Sequence, residues 1–286
     1  MKSIVSYQER GLGGNSNYRG NCSPRLIKDL ISHYSINEIS DYMCGSNTTA
    51  DVSRELSIKS NTYDLNMGFD LINDEIKERN EFVFWHPPYW DIIKYSGNMY
   101  GKPLKEDISR ISDYEEFTRL LNYCMLKQFY SLEKGGRISV LMGDIKKKGK
   151  LYSMLLDIIK PGDIENIVIK EQHNCFSDNT SYKGKFIPIV HEYLLILKKP
   201  SDFVIDIQYN RKQKIDLRDS DTITWKDLVA LTLENLGNKA KLQDIYSLIE
   251  GHKKSEKNRH WKEKIRQTLQ TYPIFSSNEK GTWILI

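Results

Sequence analysis

The apolar run Glu81-Phe82-Val83-Phe84-Trp85 stops at His86-Pro87-Pro88-Tyr89. The run predicts a strand. Two successive prolines fix the backbone and remove two N–H donors, so the chain can neither continue as an interior strand nor turn readily into a helix. A stiff loop must follow at the carboxyl end of the strand, where open α/β sheets hold their ligands. There His86, the carbonyls of Pro87 and Pro88, and the Tyr89 ring stand side by side. Such a set can grip a flat molecule carrying an amino group: acceptors take its hydrogens and the ring stacks on its face. A Pro-Pro pair can also do no more than end a strand, so the surrounding chain has to decide.

That chain alternates. The patterns predict a helix opening at Ser23-Pro24, with Leu26, Ile27, Leu30, Ile31 and Tyr34 at helical spacing. They predict strands at 39–43, 60–65, 81–85 and 137–142, and helices at 48–56, 69–77, 114–132 and 150–159. A final pair of strands, 164–172 and 189–198, flanks a long polar loop. Alternation of this kind expects an α/β fold with a mostly parallel sheet covered on both faces and an antiparallel hairpin at one edge. Residues 1–22 read as a polar, glycine-rich loop carrying Arg10 and Arg19. With 286 residues, 39% of them hydrophobic, there is enough chain for one catalytic-size domain and a small appendage.

The appendage begins after Lys199-Pro200. Residues 1–200 are expected to form the main domain, 201–223 a linker and 224–286 a second domain. In the second domain three helical patterns, 224–236, 241–249 and 260–272, precede two strand-like ends, which describes a winged helix. Between His252 and Arg266 the chain is strongly basic. Trp261, Ile265 and Leu269 give an inward face, leaving Lys257, Arg259, Lys262 and Arg266 for a DNA backbone and groove, although a merely solvated charged helix has the same composition. The net charge of +4 is compatible with a nucleic-acid partner. No apolar run reaches membrane length, and no signal region opens the chain, so a cytoplasmic protein without a membrane is expected. Cys22, Cys44, Cys124 and Cys175 are far apart and form neither a metal pattern nor a disulfide framework.

His86-Pro87-Pro88-Tyr89 resembles motif IV of the amino-methyltransferases, which methylate adenine N6 or cytosine N4. Their usual form is Asp/Asn/Ser-Pro-Pro-Tyr/Phe/Trp, so His86 departs from the pattern. Asp41-Tyr42-Met43-Cys44-Gly45-Ser46-Asn47-Thr48-Thr49 resembles their motif I, with Asn47 in place of a second glycine. Asn tolerates left-handed backbone angles better than most residues. Asn21-Cys22-Ser23-Pro24 and the helix after it resemble motif X. The order X, I, IV, with a DNA-reading domain last, is that of the γ arrangement. The resemblance implies a Rossmann-like fold, S-adenosylmethionine as cofactor and double-stranded DNA as partner, with oligomeric state open.

By this likeness Asp41, Cys44, Gly45, Thr48, Thr49, Asp64, Asp70 and Ser23 bind cofactor, Asp64 through the ribose hydroxyls. His86, Pro87, Pro88 and Tyr89 are catalytic, Arg19 touches nucleic acid and no metal takes part. His191-Glu192-Tyr193 resembles the His-Glu before an apolar strand in many of these methylases, where it is structural. The lysines of 143–149 could touch phosphate or line a solvated turn. Trp85 or Trp90 could wall the base or belong to the core. His86 would have to accept an amine hydrogen through an unprotonated ring nitrogen, so a neutral imidazole is required. Adenine N6 in DNA is the expected target. Cytosine N4 or RNA is the alternative, and a catalytically inactive DNA-binding relative is the reading of another class.

Overall fold

The computed structural model describes residues 1–173, 185–201, 204–210 and 223–286; Cys175, most of the expected linker and part of the polar loop before the last strand lie outside them. The chain divides into two compact units, Met1–Asn210 and Arg211–Ile286.

The first unit is built on a seven-stranded sheet. Its strands are β1 (Ile4–Ser6), β2 (Glu38–Asp41), β3 (Lys59–Thr62), β4 (Asn80–Trp85), β5 (Leu132–Met142), β9 (Asp163–Glu171) and β10 (His191–Lys198). Short strands β6 (Asp144–Lys147), β7 (Lys150–Ser153) and β8 (Lys160–Pro161) fall between them. The order is β1-β9-β10-β5-β4-β2-β3. Strands β3, β2, β4 and β5 run parallel, while β10 is antiparallel to both β5 and β9. This is a mixed α/β, Rossmann-like architecture.

Strand β4 shows how the sequence produces the layers. Its side chains alternate between faces. Val83 and Trp85 enter one core cluster with α3 (Tyr114–Ser131), whereas Phe82 and Phe84 enter the other with α1 (Pro24–Tyr34) and α2 (Thr48–Glu55). All four are buried. A strand covered on both faces must be apolar, as this one is from Phe82 to Trp85. Burial of side chains this large contributes roughly 2–3 kcal/mol each. Helix α1 starts where expected, with the Ser23 hydroxyl accepting from the Arg25 N–H at 3.3 Å and Pro24 in the first turn.

Several expectations are corrected. The β9–β10 hairpin does not form the edge of the sheet. Residues 4–6, read as loop, pair parallel with β9 and take that place. A three-residue strand is too short for its alternation to be legible, though Val5 is buried in the core. Residues 69–77 form turns, not a helix. The Asp70 carboxylate takes the Ile72 N–H at 2.9 Å and the Asn73 amide at 2.6 Å. Asp and Asn compete in this way with helical hydrogen bonds. Residues 150–159 are strand β7 and then a single turn, α4 (Met154–Asp157). Lys148 and Gly149, at φ 51° and 75°, make the two-residue turn that pairs Lys147 with Lys150. Strand β2 ends at Asp41, whose carboxylate takes the Met43 N–H at 3.1 Å, and β3 ends at Thr62.

Further along, β11 (Ile207–Gln208) pairs with β8. The second unit holds α5 (Trp225–Asn235), β12 (Lys239–Lys241), α6 (Leu242–Ile249), α7 (Lys253–Glu256), α8 (Trp261–Thr271), β13 (Phe275–Glu279) and β14 (Thr282–Leu285). Its strands form one antiparallel sheet in the order β12-β14-β13. Leu228, Leu233, Ile245, Ile249, Ile265 and Leu269 pack together in its core. Trp261 packs against this core without being buried in it. Among the described residues no helix is long and apolar enough to cross a membrane.

Candidate active site

Neighbours β3 and β4 flank β2 on opposite sides. The chain therefore leaves the centre of the sheet in two directions, and a crevice opens beyond the carboxyl ends of β2 and β4. The loop after β2 carries Asp41 to Thr49, and the loop after β4 carries His86 to Tyr89. Two cavities meet there.

The first cavity takes in about 800 Å³ of space between the side chains, part of it open solvent. Its lining includes Asp41, Cys44, Gly45, Thr48, Thr49, Asp64 and Asp70. The cavity's charge has one sign. Asp41, Asp64, Asp70, Glu106 and Asp107 line it, and none of its described lining residues is Lys or Arg. The Asp41 carboxyl is buried, accepts the Thr49 hydroxyl at 2.6 Å and is pushed up to about 7 by burial. Asp64 lies two residues past β3. One of its oxygens takes the Gly45 N–H at 3.0 Å and the other the Asn66 N–H at 2.9 Å. Burial raises its pKa against those two bonds. Asn47 sits at φ 61° and ψ 23°, in the left-handed region that a glycine would otherwise supply. Ser23 is outside this lining: its hydroxyl donates to the Arg10 carbonyl at 2.8 Å, and the residue borders the second cavity.

Aromatic side chains from elsewhere close the first cavity. Tyr18 and Tyr95 stack with centroids 5.6 Å apart, and Tyr100 joins them in the lining. Buried Asp107 holds the loop of Tyr95 and Tyr100. Its two oxygens accept the N–H and hydroxyl groups of Ser96 and Ser109 at 2.6–2.9 Å. No pattern in the sequence marks Tyr18, Tyr95, Tyr100 or Asp107, because their meeting depends on how the loops fold back.

The second cavity is mixed in charge, with one cation in excess among Arg10, Arg19, Lys170, Glu171 and Glu192. Arg10, Arg19, Lys170 and His173 line it, against Glu171 and Glu192. Pro87 and Tyr89 face it, Pro88 borders the first cavity, and His86 borders both. The His86 Nε2 lies 3.0 Å from the Tyr89 hydroxyl. That hydroxyl donates to Glu192 Oε1 at 2.6 Å, and Lys170 Nζ donates to Glu192 Oε2 at 2.7 Å. Glu192 reaches this point because β10 runs antiparallel to β5, which puts the start of β10 at the carboxyl ends of the parallel strands. Lys170 is its cross-strand neighbour on β9. Burial alone would raise Glu192, but the Lys170 charge and the hydrogen bonds from Lys170 and Tyr89 hold it below its ordinary value. Burial lowers the His86 imidazole to about 4, with the Lys170 charge adding to this and the Glu192 charge opposing it. No hydrogen bond among the described residues engages His86 Nδ1 or the Pro87 carbonyl.

The neighbouring candidates have other work. Trp85 and Trp90 are core residues, and the Trp90 indole N–H donates to the Ile111 carbonyl at 3.0 Å. Lys147 is paired with Asp91 at 2.6 Å and lies over the Trp90 ring. In the second unit Lys257, Arg259, Lys262 and Arg266 are all exposed, but only Lys262 and Arg266 belong to α8. Lys257 caps α7 and Arg259 lies in the connection. Arg266 is ion-paired with Glu263 at 2.9 Å. Among the described residues no His, Cys, Asp and Glu gather into a group that could hold a metal ion.

Solved structures similar to the chain include a candidate DNA modification methylase from Thermus thermophilus, at 18% identity over 71% of this chain and 63% of that one, with a TM-score of 0.32. TrmN from Thermus thermophilus matches at 16% identity over 63% of this chain and 50% of that chain, with a TM-score of 0.38. A SAM dependent methyltransferase from Archaeoglobus fulgidus matches at 11% identity over 63% of this chain and 96% of that chain, with a TM-score of 0.35. The chain thus spans about 63% of the length of the first of them. No curated protein matches it. The profile of the family described as DNA methylase matches residues 81–285, from the strand before His86 through nearly the whole second unit. With most of its length covered by that match, the chain belongs to the DNA methylase family.

Proposed function

We propose that the protein transfers a methyl group from S-adenosylmethionine to the exocyclic N6 amine of adenine in DNA. The observation that carries this reading is the place of His86 at the junction of a cavity lined by carboxylates and one that holds Arg10 and Arg19, neither ion-paired among the described residues. A ligand with a sulfonium, an ammonium group and a ribose diol suits a cavity whose charged side chains are carboxylates, and a polyanion suits its neighbour. Among the lining residues, Asp64 is suited to the ribose and the aromatic Phe69 to the adenine. The second unit, with three longer helices and a small antiparallel sheet, supports the reading of a winged helix that grips DNA through Lys257, Arg259 and Lys262.

When bound, S-adenosylmethionine supplies an electrophilic methyl group, whose bond breaks with the electron pair left on sulfur. The chain's own residues have to prepare the amine. Its lone pair is conjugated with the base and is poorly nucleophilic. The Pro87 carbonyl and His86 Nδ1, neither hydrogen-bonded to a described residue, can accept its two hydrogens and draw the nitrogen toward tetrahedral geometry. The flipped base lies in the second cavity against Tyr89. An imidazolium would repel the cationic transition state, and the lowered pKa of His86 keeps the ring neutral at pH 7. Adenine is preferred to cytosine because the cytosine-N4 enzymes usually carry Ser where His86 stands.

The reading is tested by incubating the protein with labelled S-adenosylmethionine and varied duplex DNA at neutral pH. Label should enter the DNA, appear as N6-methyladenine after hydrolysis, and fall by at least about a hundredfold in His86→Ala. No transfer by the unaltered protein across varied DNA would remove the enzymatic reading, and methylated cytosine would replace the base.

A further inference from the structure

The hydrogens in the His86, Tyr89, Glu192 chain can be assigned. Glu192 is ion-paired with Lys170 at 2.7 Å and only accepts. Tyr89 has one hydroxyl hydrogen, and its 2.6 Å contact with Glu192 uses it. The 3.0 Å contact between Tyr89 and His86 Nε2 then needs a hydrogen from the ring. A neutral His86 therefore carries its hydrogen on Nε2 and leaves Nδ1 bare.

We propose that Tyr89 and Glu192 are positioning residues that lock His86 in the Nε2–H tautomer, so that Nδ1 takes the proton shed by the target amine. This rests on the methyl-transfer reading and assigns a task to Glu192, a residue that the sequence marked as structural. The steps balance. As the N–C bond forms and the S–C bond breaks, the amine nitrogen becomes cationic. One of its hydrogens passes to Nδ1, restoring a neutral amine and leaving an imidazolium. That cation keeps its Nε2 hydrogen bond to Tyr89, whose hydroxyl is held by the Glu192 carboxylate, and then releases the Nδ1 proton to solvent. The charged groups around the ring are Glu192 on β10 and Lys170 on β9. The arrangement has the logic of an orienting acid behind a catalytic histidine, with a tyrosine hydroxyl interposed.

The test begins with the tautomer. Protein labelled with ¹⁵N-histidine is examined at neutral pH, with His86 identified by the signal lost in His86→Gln. An Nε2–H signature is expected, and Tyr89→Phe, which keeps the ring, should convert it to a mixture. An Nδ1–H signature, or one unchanged in Tyr89→Phe, overturns the proposal whether or not methyl transfer is observed. In turnover, Tyr89→Phe should lower kcat by roughly tenfold to a hundredfold, with KM for DNA little changed. In a His86→Asp background, where no tautomer exists to be set, the same change should cost less than about threefold. A penalty undiminished in that background assigns Tyr89 to stacking alone and overturns its positioning role. Absence of turnover in the unaltered protein sinks the methyl-transfer reading instead and leaves the tautomer result standing.

Discussion

At the residue scale, two ionisable groups make the crevice sensitive to pH in opposite senses. In the proposed mechanism His86 acts as the free base, and burial lowers its pKa from 6.5 to about 4. The kcat/KM profile should therefore stay level as pH falls through 6.5 and decline only toward 4. A fall centred near 6.5 would mean that the ring is not shielded in the working enzyme. Asp41 is displaced upward, from 3.8 to about 7. Its folded form prefers the proton, so the associated stability is fully present below about pH 4 and is lost as pH rises toward 7. Asp41→Asn removes that slope, and the difference between the two proteins' denaturation midpoints should grow in favour of the variant across this window. A constant difference would show that Asp41 titrates normally. Both residues could be picked out from the sequence, as an acid at a strand end and as the His of His-Pro-Pro-Tyr. Their displacements could not, because burial is a property of everything packed around them.

At the scale of elements, the N-terminal loop is a working part of the first cavity. The Gly14 N–H donates to Asp51 at 2.8 Å, and the Asn15 N–H to the Ser46 carbonyl at 3.0 Å, so the loop rides on the start of α2. Asn21 ties it down through its amide to the carbonyls of Asn15, Ser16 and Tyr18. Gly14 has φ 65°, and a Cβ there would stand 2.2 Å from the Thr48 hydroxyl. Gly14→Ala should weaken S-adenosylmethionine binding by about tenfold, read by calorimetry, and lower stability by roughly 1–3 kcal/mol. Unchanged affinity would mean that the loop does not shape the site. Local patterning predicted β4, α1 and α3, whose spacing and caps lie within a few residues of one another. It misread 69–77 and 150–159, where Asp70 and the Lys148-Gly149 turn impose hydrogen bonds that compete with helix.

At the scale of the whole molecule, charge is divided by place. The first cavity is lined by carboxylates, the second by Arg10, Arg19 and Lys170 with Glu171 and Glu192 beside them, and α7, α8 and their connection expose further cations. Replacing Lys257, Arg259 and Lys262 together by Ala should weaken DNA binding and flatten its salt dependence by about 0.9 in slope for each phosphate left unneutralised. Affinity for S-adenosylmethionine should not change. Arg266→Ala alone should matter less, because Glu263 already takes part of its charge. A triple variant that binds DNA as before would place the interface elsewhere.

Where the chain must break and turn was written in short stretches of sequence. Two prolines end β4, small residues open the loop after β2, and an unbroken apolar run makes a strand buried on both faces. Each is a rule acting over a handful of neighbouring residues. Which side chains meet was settled by the folded chain alone. Glu192 lies 103 positions from Tyr89, yet their hydrogen bond is 2.6 Å long. The sheet order β10-β5-β4 and the reversed direction of β10 bring them together, and strand order is set by packing between distant segments that no local pattern contains.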